Sequence, residues 1–200
     1  MNKKQQILFE AKRLFGRYGY LGFTLKQLAQ ACEMTSPALY YFYSSKADLF
    51  KDCLLSELDA RRVVTRRCIE QSNSLTEFAG ALAQEAIDVC DVASFRTGQA
   101  MQEIIHLPEE MQQELQAAWD TIMIKPVEDF LERIHPNIPE GVSYYLLGTY
   151  LIYIATFCSA HANQFSRDVL EKLFISAVSG MESPPSLANG AGPCTDPQPM

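Results

Sequence analysis

TLKQLAQACEMTSPALYYFYSSKADLF, residues 24–50, places three helix starts and one sharp turn within 27 positions. Thr24 with Gln27 forms the reciprocal capping pattern that satisfies two free backbone N–H groups, and Leu25, Leu28, Ala29 and Cys32 follow as one apolar stripe. After a break at Glu33 and Met34, Thr35 or Ser36 caps a second helix that carries Pro37 in its first turn, where a missing N–H does no harm. Leu39 is expected to face inward and Tyr40 and Tyr41 outward. A third start falls at Ser45, with Leu49, Phe50, Cys53 and Leu54 as its apolar face. The short middle helix is thereby displayed between two supports, the layout of a helix presented to a major groove.

Upstream, Ile7, Leu8, Ala11, Leu14, Phe15 and Tyr18 recur at helical spacing from Gln5 onward, and Gly19 is placed to end that helix in a left-handed conformation. Three helices with facing apolar stripes suffice for a small core. Charge points the same way. Residues 1–51 hold eight bases against three acids, a balance of +5, whereas the whole chain is −7, so residues 52–200 carry −12. An acidic protein with its positive charge gathered at one end suits a polyanion-binding module on an acidic body.

In this stretch the chain resembles the TetR family of bacterial transcriptional regulators. The resemblance is carried by Phe15, Gly19, Tyr20, Thr24, Leu28, Ala29, Thr35, Leu39, Tyr40, Lys46 and Leu49, in the family's order over 35 positions. It implies an all-α fold: an N-terminal three-helix helix-turn-helix head over 1–50, then a larger helical effector-binding and dimerisation body over 51–181. It also implies that Thr35 to Tyr41 form the recognition helix, with Tyr40 and Lys46 on phosphates. Thr24 and Lys26, at the start of the preceding helix, join them as expected DNA contacts. Base reading falls to Thr35, Ser36, Pro37 and Ala38, with Tyr41. These offer no Arg-to-guanine or Asn-to-adenine fork, so no operator follows from them. Two departures from the family are visible. Glu33 stands at the usual turn glycine, so the turn either avoids positive φ or carries strain, and Phe42 and Tyr43 replace a common His-Phe pair.

The body reads as successive helices. One runs from Ser45 to about Gln71, basic near its end at Arg61, Arg62, Arg66 and Arg67, where cations complement the helix dipole. Others are expected over Leu75 to Cys90 and Phe95 to Leu107, and a longer one opens at Pro108 and runs through Trp119 to about Ile134. Pro126 inside it predicts a kink or break near Ile122 to Lys125. A gap beside that kink, lined by Met101, Trp119, Met123 and Phe130, with Tyr153 and Phe157 from the next helix, is the expected ligand site; by type each is equally a core residue. The central helices show no basic cluster suited to a phosphate, which favours an apolar or aromatic effector.

Residues 141–166 carry no formal charge over 26 positions. Polar side chains and tyrosines spread along the run argue against a membrane span and for a helix buried on all sides. With the two apolar faces of Arg167 to Met181 it would build a four-helix interface in a homodimer. Two heads about 34–36 Å apart would then read a palindromic operator. Residues 182–200, rich in Pro and Gly, read as a disordered tail.

Other classes find less support. The six cysteines lack a C-x-x-C pair and read as reduced thiols of a cytoplasmic protein, and Lys3 and Lys4 open an amphipathic helix, not a signal peptide. Cys158 and His161, at i and i+3, are too few for a metal site; control by thiol oxidation, metal or a protein partner remains the alternative to an organic effector. His106, His135 and His161 are scattered and no phosphate loop or nucleophile elbow occurs, so neither catalysis nor a cofactor is expected.

Overall fold

A computed structural model describes residues 2–88, Phe95, 97–134 and Pro136, and among these every regular element is helical. The helices are α1 (Lys3–Tyr18), α2 (Leu25–Ala31), α3 (Ser36–Phe42), α4 (Lys46–Glu70), α5 (Leu75–Asp88), α6 (Thr97–Glu103), α7 (Glu109–Trp119) and α8 (Lys125–Ile134). A single 3-10 turn, Ile104–His106, follows α6, and a π-helical turn, Asp120–Ile124, joins α7 to α8.

Most boundaries follow from local chemistry. Helix α1 starts two residues before the expected Gln5, because Asn2 and Gln5 form a capping box. Gly19 ends it at φ 72° and ψ 178°, outside the left-handed helical region but equally closed to residues with a Cβ. Thr24, Thr35 and Ser45 cap α2, α3 and α4, each accepting the N–H of the residue three positions on. Helix α4 runs unbroken through position 50, so the expected head–body boundary falls inside one rigid element.

That helix is the axis of the packing and contacts α1, α5, α6, α7, the π-helical turn and α8. Leu49, Phe50, Cys53, Leu54 and Leu58 are all fully buried along it. Burial of side chains this size contributes about 1.5–3 kcal/mol each. Phe50 and Phe15 pack edge to face with centroids 4.9 Å apart, and Phe23 closes on Phe15 at 4.7 Å. Phe95, from the body, lies 5.7 Å from Phe50 and 6.1 Å from Phe15, so head and body share one aromatic core.

Pro126 acts differently from a simple breaker. Its missing N–H and its ring disturb the preceding turn, and in place of a break the chain widens into the π-helical turn, where Lys125 donates its N–H to the Asp120 carbonyl. Helix α8 then continues in the same run. Among the described residues no helix is long and apolar enough to cross a membrane. The uncharged run 141–166, the expected dimer helices and the tail lie outside the described residues.

Candidate nucleic-acid interface

Helices α2 and α3 are only seven residues each, too short to persist alone, and they are held from beneath. Leu28, Ala29, Cys32 and Leu39 are buried, α2 packing on α1 and α3 on α2. Lys3 reaches across from α1 to donate to the Cys32 carbonyl at 3.0 Å, placing a cation at the C-terminal end of α2. The turn that follows closes with Glu33 N–H on the Gln30 carbonyl at 3.1 Å and Met34 N–H on the Ala29 carbonyl at 2.9 Å. These are the paired bonds of a Schellman ending, whose left-handed position usually falls to glycine. Here Glu33 occupies it at φ 53°. Of the two outcomes the sequence left open, the turn carries the strain.

The outer face of α3 is the exposed aromatic surface of the head. Tyr41 is 88% exposed and Tyr40 53%, while Leu39 between the turns is fully buried. Thr35 spends its hydroxyl on the Ala38 N–H at 3.4 Å, so it fixes the start of α3 as well as standing at its edge. Ser36 and Ala38 are partly buried, and Pro37 is exposed. Thr24 is bound to Gln27 through both backbone and side chain and, like Lys26, lies exposed at the start of α2. Tyr43, beyond α3, is buried and donates its hydroxyl to Asp52 at 3.1 Å; burial and that carboxylate push its phenol well above the usual range.

The free positive charge is smaller than the count of bases suggests. Lys4 pairs with Asp52 at 2.9 Å, Lys12 with Glu57 at 3.4 Å, Arg13 with Glu10 at 2.8 Å and Lys51 with Glu114 at 2.6 Å. Lys46 is placed differently from the phosphate contact the resemblance implies. It donates to the Phe23 carbonyl and lies over the rings of Phe23 and Tyr20, at 4.3 and 5.2 Å, and burial pulls its ammonium below the ordinary value despite the nearby Glu103 carboxylate. The reason is local: the loop before α2 brings a carbonyl and two ring faces to the start of α4, a better-satisfied position than water for a lysine already half-buried. Lys26 has no ion-pair partner among the described residues, and Arg17 lies over the Tyr18 ring at 5.2 Å.

A seam joins this head to the body. Glu103, the last residue of α6, accepts the Tyr20 N–H, and an added Cβ on Gly19 would come within 2.5 Å of its Oε1. His106 stacks on Tyr20 with centroids 6.1 Å apart and planes 12° off parallel. Nothing local in the sequence signals these contacts, which span more than eighty positions.

The expected ligand residues divide. Trp119, Met123 and Phe130 are buried, Phe130 against Phe78 with centroids 4.9 Å apart, and Met101 is half-buried at the core's edge. Tyr153 and Phe157 lie outside the described residues, as do Cys158 and His161. The expectation of no basic cluster in the central helices is overturned. Arg62 and Arg66 of α4 and Arg133 of α8, separated by some seventy positions, line one groove. Nor do the four arginines near the end of α4 act as one dipole-complementing group. Arg61 is buried on Glu57 at 3.2 Å, Arg62 pairs with Asp59 at 3.1 Å and Arg67 with Glu85 at 3.1 Å, while Arg66 has no such partner among the described residues.

Residues 7–53 match the sequence model of the bacterial regulatory proteins, tetR family. A curated relative, an uncharacterized HTH-type transcriptional regulator YezE of Bacillus subtilis (strain 168), is 28% identical over 108 residues, covering 52% of this chain and 56% of its own length. The chain thus spans little more than half of that relative. Among solved structures, SCO4454, a TetR-family transcriptional regulator from Streptomyces coelicolor, superposes with a TM-score of 0.68 at 16% identity over 90% of this chain and 93% of its own. AibR, solved in complex with isovaleryl coenzyme A and operator DNA, gives a TM-score of 0.69 at 16% identity over 88% and 97%. At such identities the likeness is one of fold.

Proposed function

We propose, from the match of residues 7–53 to the tetR family of bacterial regulatory proteins, that the chain is a cytoplasmic homodimeric regulator of that family. It reads a palindromic operator and is released from it by a small effector with an apolar or aromatic part. The observation that carries the reading is the presentation of α3. A seven-residue helix is capped by Thr35, anchored by a fully buried Leu39, and offers Tyr40 and Tyr41 outward at the edge of the molecule.

In this reading the head, residues 1–50, sets Thr35, Ser36, Pro37, Ala38 and Tyr41 against base edges. Tyr40, Thr24 and Lys26 meet phosphates, and Lys46 holds the loop before α2 against the start of α4, acting on phosphate only where DNA draws it out. The body, 51–181, supplies the two-fold interface, which also sets the distance between heads. An effector matters only through its different affinity for the two spacings. Repression with release by ligand is the arrangement the family resemblance implies; the AibR structure, which holds isovaleryl coenzyme A and operator DNA together, supports only that this fold can carry both kinds of ligand.

Selection of bound duplexes from a random DNA library by the purified protein, repeated at two salt concentrations, tests it. Enrichment of a palindrome whose half-sites lie one helical turn apart is the expected result. Recovery of weak, salt-sensitive binding without a motif would overturn the operator-reading role.

A further inference from the structure

Between α4 and the run formed by the π-helical turn and α8 lies a groove of about 430 Å³, within the range of small-molecule sites. Its floor is apolar, built from Ile69, Ile122, Pro126 and the Phe130 ring. Its rim carries Arg62, Arg66 and Arg133. The arrangement has features that packing alone does not explain. Arg62 and Arg66 stand at i and i+4 on one stripe of α4, a like-charge spacing that costs a helix a few tenths of a kcal/mol. Neither Arg66 nor Arg133 has a carboxylate partner among the described residues, although Glu70 and Asp129 also line the groove. Asp129 is held instead by Lys125 at 3.0 Å. Arg133 is laid over the Phe130 ring at 5.3 Å, which aligns its guanidinium with the wall while leaving its N–H groups unspent. Finally, the wall opposite α4 includes Thr121 and Ile122 of the π-helical turn, a widened backbone of the kind that recurs at functional sites.

We propose that this groove binds an amphipathic organic anion, its hydrocarbon part on Ile69, Ile122 and Phe130 and its carboxylate or phosphate on Arg66 and Arg133. The apolar floor accounts for the body of such a ligand and the two guanidinium forks, unpaired among the described residues, for its head, which a planar anion engages through paired N–H donors. As a description of the effector this rests on the ligand-responsive reading above; as a binding site it stands without it.

Trp119, the chain's single tryptophan, immediately precedes the π-helical turn and serves as the reporter. Its fluorescence is titrated in the full chain with decanoate, decyl phosphate and decanol, which share one tail and differ in head group. Either anion is expected to bind about tenfold or more tightly than the alcohol, weakening as ionic strength rises, and the better of the two identifies the head group. Arg66→Gln with Arg133→Gln should remove that preference, both side chains being exposed and free of ion pairs among the described residues, whereas Arg17→Gln in the head should keep it. Equal binding of all three probes, no binding at all, or an anion preference that survives the double substitution would each overturn the site. Repeating the titration on the complex with a selected duplex separates the two claims. An anion that binds through Arg66 and Arg133 without shifting DNA affinity overturns its role as effector and confirms the groove.

Discussion

The carboxylate of Glu103 accepts the backbone N–H of Tyr20 at 3.0 Å, so the end of a body helix is bonded to the loop between α1 and α2 of the candidate DNA-binding head. The same carboxylate lies directly over Gly19, whose φ of 72° already demands glycine. Gly19→Ala should therefore cost about 1–3 kcal/mol from backbone strain, with an added penalty from the collision with Glu103. Glu103→Ala should cost about 1–3 kcal/mol by leaving a half-buried N–H without its charged acceptor. In the double variant the collision is gone, so the losses should sum to less than the two singles. Denaturant unfolding of the three variants measures the coupling, and strict additivity would show that the contact carries no energy.

Lys26 and Lys46 should separate in their effects on DNA binding. Lys26→Ala removes an exposed cation, so it should weaken binding evenly across sequences, lower the salt slope by about one, and leave thermal stability alone. Tyr40→Ala should likewise weaken binding across sequences without affecting the dimer. Lys46→Ala should reduce stability as well, because its ammonium ties the Phe23 carbonyl and two aromatic faces together. Equal melting temperatures for Lys46→Ala and the parent would contradict the anchoring role.

The turn between α2 and α3 offers a stabilising change. Glu33 sits at φ 53°, where a Cβ costs about 1–2 kcal/mol, while glycine would return part of that as greater freedom in the unfolded chain. Glu33→Gly should raise stability by about 0.5–1 kcal/mol, a rise of about 1–4 °C in melting temperature for a protein of this size. A fall on calorimetry would mean that the Glu33 side chain contributes something the turn geometry does not reveal.

Asp48 accepts hydrogen bonds from the Ser44 and Ser45 hydroxyls, and these hold its carboxyl below the usual range. The folded state thus binds this proton more weakly than the unfolded state. Its stabilising contribution is present at neutral pH and is lost as pH falls below about 4 and passes through the lowered folded value. Asp48→Asn should flatten the acid limb of the stability profile in that window, measured by unfolding at a series of pH values. An unchanged acid limb would remove Asp48 from the account.

The thiols of Cys32, Cys53 and Cys68 are buried, and burial raises all three above the ordinary value, Cys68 to about 11. They are expected to resist alkylation at pH 8 in the native protein and to react once it is unfolded. Mass spectrometry of the iodoacetamide-treated protein resolves each site. Rapid native labelling at any of them would reopen control by oxidation.

What the sequence made legible was local. Thr24, Thr35 and Ser45 announce α2, α3 and α4 because a cap is a relationship between residues three apart, and Leu39 against Tyr40 and Tyr41 gives the inner and outer faces of α3 by period alone. Pro126 marked the disturbed turn but not its form, since a proline excludes one hydrogen bond without choosing between a break and a wider helix. The contacts that stayed hidden are those made between distant segments. Lys46 reads as a surface cation until Phe23 and Tyr20 are brought over it, and Arg62, Arg66 and Arg133 read as unrelated until α8 is laid along α4. The candidate DNA-contact positions were legible through the family pattern, whereas their division into free and internally committed charges required coordinates.

The packing of Phe95 against the Phe15–Phe50 pair bears on how such proteins can be recombined. A reading head that completed its own interior could be exchanged between relatives like a detachable part. This one borrows a ring from the body. A chimera that joined residues 1–50 to another protein's sensor would inherit an open aromatic nest unless Phe95, with Glu103 and His106, travelled with it. New operator specificities are therefore easier to reach by altering the outer face of α3 than by transplanting the whole module.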